Sequence, residues 1–276
     1  MTVDLSCVKL MLVHSGRAHF DEVMACAIAY AYGVSHDVLI ERRSPTSEEL
    51  EDPKVLVLDV GGRLEPEKNN FDHHQRAITD EPKCAYVLLA QALGVEAELK
   101  RFFPWYEFGN LMDVRGPFAV AKSLGIPPET MAGVTSNPLN DFVLRRFSDD
   151  PDFRHHLPLS LSRTLLQTKA SYRALDEAGR MITLVGLPIA DMRACETSDI
   201  THASAIWFKE HKPACSIFND QRGTGLTFLR HDDDPRLNFA KCAREAYTLF
   251  AHPGGFLLKT VTKDVNLEQV LSRATV

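Results

Sequence analysis

Two apolar runs constrain the architecture of this chain more than any other feature. Val8 to Val13 is apolar apart from Lys9, and Val55-Leu56-Val57-Leu58 is apolar throughout. A strand with no polar side chain to offer solvent must be covered on both faces, which is the situation inside a parallel sheet. Val38 to Ile40 adds a short third strand. Between and after these runs lie helical patterns. Asp21 to Tyr32 is Ala-rich and stopped by Gly33, and Cys84 to Leu93 is closed by Gly94. Strands alternating with helices predict βαβ units and a parallel sheet, an α/β fold. Ligands in such sheets bind beyond the carboxyl ends of the strands.

Further on, Glu98 to Met112 reads as helix, kinked or divided by Pro104. Residues 126–158 read as loop-rich, with Pro127-Pro128, Asn137-Pro138 and Asp150-Pro151, crossed by a helical stretch such as Leu139 to Phe147. Leu159 to Glu177 reads as a helix stopped by Gly179. Ile182 to Ala190, Ala214 to Asn219, Gly225 to Arg230 and Gly255 to Val261 read as strands, with helices over His202 to Glu210 and Asn238 to Phe250. The expected organisation is an N-terminal domain over 1–158, a connecting helix over 159–180 and a smaller α/β domain over 181–276, with the active site in the cleft between the domains. A chain of 276 residues can bury two modest cores.

The polar residues that matter sit at the predicted strand ends. His14-Ser15-Gly16-Arg17-Ala18-His19-Phe20-Asp21 follows the first strand, Asp59-Val60-Gly61-Gly62 ends the strand that begins at Val55, and Phe71-Asp72-His73-His74-Gln75-Arg76 follows a turn rich in Gly, Pro and Asn. Any one of these has an ordinary explanation: a hydrogen-bonded His, a first-turn helix charge at Asp21, a strand-end turn, a surface loop. All three at strand ends concentrate imidazole and carboxylate donors, the donor set of Mn²⁺, Mg²⁺ or Fe²⁺ rather than of a thiolate-selected ion. Two such ions about 3.5 to 4 Å apart share a bridging carboxylate and hydrolyse phosphoesters. Asp59, between the other two segments in sequence, is the candidate bridge.

The motifs resemble those of the DHH phosphoesterase superfamily, and more closely its Myg-type (UPF0160-like) exonuclease branch. The pattern His-x-Gly-x-x-His-x-Asp-Glu is met by His14, Gly16, His19, Asp21 and Glu22. Asp-Val-Gly-Gly is met by residues 59–62, and an aromatic residue followed by Asp-His-His-Gln-Arg is met by residues 71–76. The resemblance covers about residues 8–93. It implies that His14, His19 and Asp59 hold one ion and that Asp21, Asp59, His73 and Asp113 hold the other. It places His74 at the scissile phosphate, to orient it or to protonate the leaving oxygen, and Asp72 behind it, fixing a neighbouring imidazole. Arg76 is expected to touch substrate. Many relatives have Asp where His19 stands, and Leu-Met-Asp-Val-Arg-Gly around Asp113 only approximates the family pattern.

The second domain is similar to the DHH-associated substrate domain, in which an Arg on a strand and a Gly-rich turn with a His bind phosphate. Arg230 and the turn His252-Pro253-Gly254-Gly255 fill those places. The reading is a two-metal-ion phosphodiesterase, Mn²⁺-dependent, with Mg²⁺ or another divalent ion as alternatives. Its expected activity is that of a 3′-5′ exonuclease on RNA or short single-stranded oligonucleotides. A cyclic dinucleotide, nucleoside phosphate or pyrophosphate is the small-substrate alternative, and a non-catalytic metal or nucleotide binder is the alternative of another class. The net charge of -6 argues against a surface that grips nucleic acid everywhere. No apolar run approaches the roughly 20 residues of a membrane helix. The protein is expected in the cytoplasm, and a homodimer is compatible with the sequence. The six cysteines form no Cys-x-x-Cys pair and read as small buried hydrophobes. Trp105 and Trp207 read as core residues, and His231 to Asp234 as a solvated loop.

Overall fold

The structure is a computed structural model that describes residues 3–75 and 82–276. The chain forms two compact units, Met1–Leu166 and Gln167–Val276. In the first unit, β1 (Leu10–Val13) leads to α1 (Phe20–Ala31), β2 (Leu39–Arg42), α2 (Ser47–Glu51), β3 (Val55–Leu58), β4 (Leu64–Glu65) and β5 (Asn70–Phe71). Among the described residues these strands make one sheet in the order β2-β1-β3-β5-β4. The first four are mutually parallel, and β4 closes the edge antiparallel to β5. Met11, Leu12 and Val13 of β1 and Leu56, Val57 and Leu58 of β3 are fully buried, as continuous apolar runs require.

Helix α1 packs against α3 (Ala85–Ala92) and also meets a later helix, α5 (Trp105–Leu124). Every residue from Asp21 to Tyr30 is buried. Ala25, Cys26, Ala27 and Ala29 keep it thin enough to be enclosed on all sides. Pro104 does divide the next helical stretch, into α4 (Glu96–Phe102) and α5 (Trp105–Leu124). Helix α5 is broken again at Gly116, whose backbone leaves helical geometry just before Pro117.

Residues 126–158 are helical rather than loop-rich. Helices α6 (Pro128–Thr135), α7 (Pro138–Asp149) and α8 (Pro151–Ala178) occupy them. Each begins on a proline, in the position where the missing N–H costs nothing and the fixed φ suits the helix. Asn137 caps α7 by accepting from the Leu139 amide at 2.9 Å. Pro158 lies within α8, and the division between the two units falls within the same helix.

The second unit contains β6 (Arg180–Leu184), β7 (Leu187–Asp191), α9 (Thr197–His211), β8 (Cys215–Asn219), β9 (Leu226–Arg230), β10 (Thr248–Ala251), β11 (Leu257–Thr260) and α10 (Leu267–Ala274). Its sheet runs β10-β11-β9-β8-β7-β6 among the described residues. Only the β7–β8 pair in it is parallel. Ile182 to Ala190 is not one strand. Val185 and Gly186 take positive φ and turn it into the β6–β7 hairpin. Asn238 to Phe250 is not a helix either. A short 3-10 turn at Phe239–Cys242 leads into β10, whose register slips between Thr248 and Phe250. Leu249 and Phe250 on that outer strand are 58% and 46% exposed. Phe228, Leu237, Phe239, Leu258 and Leu271 form the core of the unit.

Candidate metal centre

Strand register builds the centre. Val13, the last residue of β1, pairs with Leu58, the last of β3, and Leu58 pairs with Phe71, the last of β5. The residues that follow, His14, Asp59 and Asp72, therefore leave three neighbouring parallel strands at the same level. Asp59 is central because β3 lies between β1 and β5. It is 2% exposed, and its backbone turns away from the strand with φ of 60°, a left-handed conformation that is rare for a residue with a side chain. That turn aims its carboxylate across the strand ends. Asp59 Oδ2 lies 3.5 Å from His14 Nε2, and Oδ1 lies 3.1 Å from His73 Nε2.

The start of α1 supplies two more donors. His19 is the N-cap residue of the helix, yet its side chain makes no capping hydrogen bond, so the imidazole remains available. Asp21, in the first turn, is fully buried. Asp113 comes from α5, with Oδ2 3.4 Å from His73 Nε2. It reaches the cluster because α5 lies close to α1. A Cβ on Gly109, one turn earlier, would stand 2.8 Å from the Phe20 ring and 2.9 Å from the Tyr86 hydroxyl. Among the described residues, His14–His19–Asp59, Asp59–His73–His74 and His19–Asp21–Asp113 are each close enough to surround one ion. They overlap through Asp59 and His19. The sequence-derived set, His14, His19, Asp21, Asp59, His73 and Asp113, is thus brought together in one place.

The electrostatics fit cations. Burial, then the neighbouring Asp59 and Asp113 charges, hold the Asp21 carboxyl well above the usual carboxylate range. Asp113 is raised as well, first by burial, with His73 working in the opposite direction and Asp59 adding to the rise. Both oxygens of Asp21 are buried without a hydrogen bond among the described residues. A buried carboxylate with no donor, among other carboxylates, costs several kcal/mol unless a cation compensates it. Carboxylate and imidazole are the donors that divalent ions of the Mn²⁺ class accept. The residues present therefore fit such ions.

Asp72 and His74 form a hydrogen-bonded pair at the edge of the cluster, with His74 Nδ1 3.7 Å from Asp59 Oδ1. Asp72 Oδ1 accepts from the His74 amide at 3.0 Å and lies 2.7 Å from His74 Nδ1, while Oδ2 accepts from the Gly62 amide at 2.7 Å. Burial opposes ionisation of Asp72, but these donors outweigh it and hold the carboxyl below its usual range. His74 is 61% exposed at its side chain and is left with Nε2 facing outward. Arg76 lies outside the described residues.

Glu22 was not singled out for any role by the sequence. It is fully buried, with Oε2 2.8 Å from His14 Nε2 and Oε1 paired with Arg42 at the end of β2. Arg42 also donates to the Gly16 carbonyl at 3.0 Å. This contact with Glu22 pushes His14 up to about 9. The available signal was the second acidic residue of Asp21-Glu22, too near the start of a buried helix to face solvent.

In the second unit, Arg230 is engaged by its own loop. Nη1 donates to the Leu237 carbonyl at 2.9 Å and Nη2 to Asp233 at 2.8 Å. His252 accepts from the Gly254 amide at Nδ1, 3.0 Å away, which leaves Nε2 as its protonated nitrogen, and its ring lies against Phe256. Gly255 has φ of +71°, and a Cβ there would meet Asn238 Oδ1 at 2.2 Å. Its glycine is required by the turn itself. His231 is not in a solvated loop. It packs on Phe208, lies 2.9 Å from Ser216 Oγ, and is lowered to about 4 by burial. Trp207 is buried and stacks on His211, whereas Trp105 is only half-buried, in an aromatic group with Phe20, Tyr86 and Phe103.

The family match to known proteins lies within the first unit. Residues 10–90 match the family described as MYG1_exonuc, Uncharacterised protein family (UPF0160). The MYG1 exonuclease of Homo sapiens is 40% identical over 68 residues, covering 24% of this chain and 17% of the relative. That of Bos taurus is 36% identical over 72 residues, covering 24% and 17%. The MYG1 protein of Chlamydia trachomatis is 36% identical over 77 residues, covering 28% and 26%. The match thus spans about a fifth of the length of these relatives. Among solved structures, RecJ in complex with Mn²⁺ from Thermus thermophilus aligns over 96% of this chain and 51% of that one, with 16% identity and a TM-score of 0.31. The pGpG-specific phosphodiesterase PggH from Vibrio cholerae aligns over 94% of both chains, with 14% identity and a TM-score of 0.28. Similarity at that level carries no argument about this chain.

Proposed function

We propose, from the match of residues 10–90 to the MYG1_exonuc (UPF0160) family, that the chain is a two-metal-ion phosphodiesterase acting as a 3′-5′ exonuclease on RNA or short single-stranded oligonucleotides. The observation that carries this reading is the position of Asp59, whose two oxygens face His14 on one side and His73 on the other. In this reading His14, His19 and Asp59 hold one divalent ion, and Asp21, Asp59, His73 and Asp113 hold the other, with Mn²⁺ as the ion. Ions in such a site acidify water near neutral pH and neutralise charge on a transferring phosphoryl group.

The chain's own groups do the rest. Asp72 fixes His74 through Nδ1, so Nε2 faces the scissile phosphate, where it orients the phosphoryl oxygens or passes a proton to the leaving oxygen. Asp72 also ties this segment to the Asp59 turn through the Gly62 amide. His252 Nε2 and the Gly254-Gly255 turn are the anion-binding groups of the second unit, and Arg230 holds their neighbouring loop while lending its charge. The small-substrate reading is kept because Arg17 is the only Arg or Lys among the described residues that line the cavity beside the cluster. A groove that tracks a long strand needs more positive charge.

The deciding assay uses RNA and DNA of several lengths, labelled at either end, with Mn²⁺, alongside pyrophosphate and cyclic dinucleotides. Stepwise shortening from the 3′ end, lost on chelation, is the expected result. Hydrolysis that persists in chelator rejects the reading. A pH effect accompanies it. His14 binds a proton up to about 9, so ion entry at His14 displaces that proton, and apparent Mn²⁺ affinity rises about tenfold per pH unit toward that value. Glu22→Gln removes the main cause of the raised value, and the rise then ends nearer the ordinary 6.5. Titration calorimetry in buffers of different ionisation enthalpy counts the protons, and identical heats in all buffers at pH 7 contradict the assignment.

A further inference from the structure

We propose that the cavity beside the metal cluster is a pocket for a nucleobase, taking the base of the nucleotide whose phosphate faces the cluster. The proposal rests on the phosphodiesterase reading for the phosphate alone; the pocket is argued from its own walls. The cavity has a volume of about 620 Å³ and opens in the first unit between the start of α1 and helices α5, α6 and α7. That is the size of a small-molecule site, suited to one nucleoside rather than a run of bases.

Two of its wall residues, His19 and Asp113, belong to the candidate metal groups. A ligand in the cavity is therefore contiguous with the ions. Phe20, Trp105 and Phe108 give the wall its aromatic surface. Phe20 is 40% exposed and Phe108 37% exposed, more than packing would leave to large rings. Trp105 meets Phe20 edge-on, with centroids 5.6 Å apart and planes at 80°. The ring positions are thus set by protein contacts before any ligand arrives. Aromatic faces hold any base by stacking, without reading its edge.

The charge on the wall disfavours a second anionic group. Among the described wall residues the only Arg or Lys, Arg17, is paired with Asp141 at 2.8 Å, which partly offsets its charge toward a second phosphate. The acidic residue, Asp113, faces His73. A flat, uncharged aromatic group, joined to a phosphate at the metal end, satisfies both halves of the site. This also gives Trp105 a role beyond core packing.

The test compares adenosine 5′-monophosphate with ribose 5-phosphate, which carries the phosphate and lacks the base. Binding to the full chain with Mg²⁺ is followed by equilibrium dialysis, and by quenching of tryptophan fluorescence that Trp105→Phe removes. The nucleotide is expected to bind at least about tenfold more tightly than the sugar phosphate, from stacking. Phe108→Ala removes a ring, and Val134→Trp fills the cavity from a position 64% exposed. Each is expected to weaken nucleotide binding about fivefold or more, Phe108→Ala through lost stacking and Val134→Trp by occupying the space of the base, with sugar phosphate binding and thermal stability unchanged. Equal affinity of the two ligands for the wild type, or unaltered nucleotide binding in both variants, overturns the pocket. If RNA is hydrolysed without any such base preference, the pocket fails and the phosphodiesterase reading stands. If the base preference is present and no Mn²⁺-dependent hydrolysis occurs, the phosphodiesterase reading fails and the pocket stands.

Discussion

Asp59→Asn is expected to reduce Mn²⁺-dependent hydrolysis by about a thousandfold or more, the several kcal/mol that a metal site supplies to charge development in the transition state. The choice of Asn follows from the backbone. Position 59 holds φ of 60°, which costs most side chains about 1 kcal/mol or more and which Asn tolerates. The substitution keeps the turn, the shape and the burial, and removes the charge that faces His14 and His73. An unchanged melting temperature with lost activity and lost metal binding is the signature sought. Wild-type rates in Asp59→Asn would end the two-ion proposal. Ala at the same position confounds the result, because it also strains the turn.

The second large effect is thermal. Among the described residues neither oxygen of Asp21 has a hydrogen-bond partner, and the carboxyl is fully buried near Asp59 and Asp113. In ion-free protein this carboxyl either takes up a proton or stays a buried charge without compensation, and a divalent ion relieves the cost of both, so ions should stabilise the first unit strongly. At a hundredfold excess over the dissociation constant the gain is about 2.7 kcal/mol. In a unit of this size that corresponds to roughly 5 to 11 °C. Asp21→Asn is expected to melt higher than the wild type in chelator and to gain little from Mn²⁺. The sign with pH follows. Because the folded-state value of Asp21 is raised, the folded protein binds the proton more readily than the unfolded chain. Ion-free wild type then loses stability as pH rises from the ordinary carboxylate value through the raised one. The advantage of Asp21→Asn in chelator should grow over that window. Calorimetric scans at two pH values, with chelator and with Mn²⁺, measure all four quantities. An Asn variant that melts lower in chelator and still gains the full increment would refute the account.

The centre was legible because its residues adjoin the most constrained strands. Continuous apolar runs at β1 and β3 set two strand ends, and His14 and Asp59 follow them directly in sequence. Asp113 was reachable only by resemblance, since nothing local says that α5 returns to the sheet. That approach depends on the missing side chain of Gly109 against Phe20 and Tyr86. Glu22, matched in the first motif, was given no role because that role lies in contacts with His14 and with Arg42 on β2. The stretch 126–158 was misjudged by giving its prolines one meaning. Pro128, Pro138 and Pro151 each open a helix, where proline is favourable, and a loop and a helix start share the same local spelling. The β6–β7 hairpin was hidden because Val185, a β-branched residue, occupies a positive-φ position that a sequence reading reserves for Gly, Asn or Asp.

The slip in register between Thr248 and Phe250 has a colloidal meaning. Strand β10 borders its sheet with Leu249 and Phe250 turned substantially to solvent. A straight apolar border of that kind is a template on which another copy can add its own strand, and then another. The extra residue at Leu249 interrupts the row of backbone donors and acceptors and bends the border. A local irregularity in one short strand thereby breaks the pattern of donors and acceptors that a second copy would have to match.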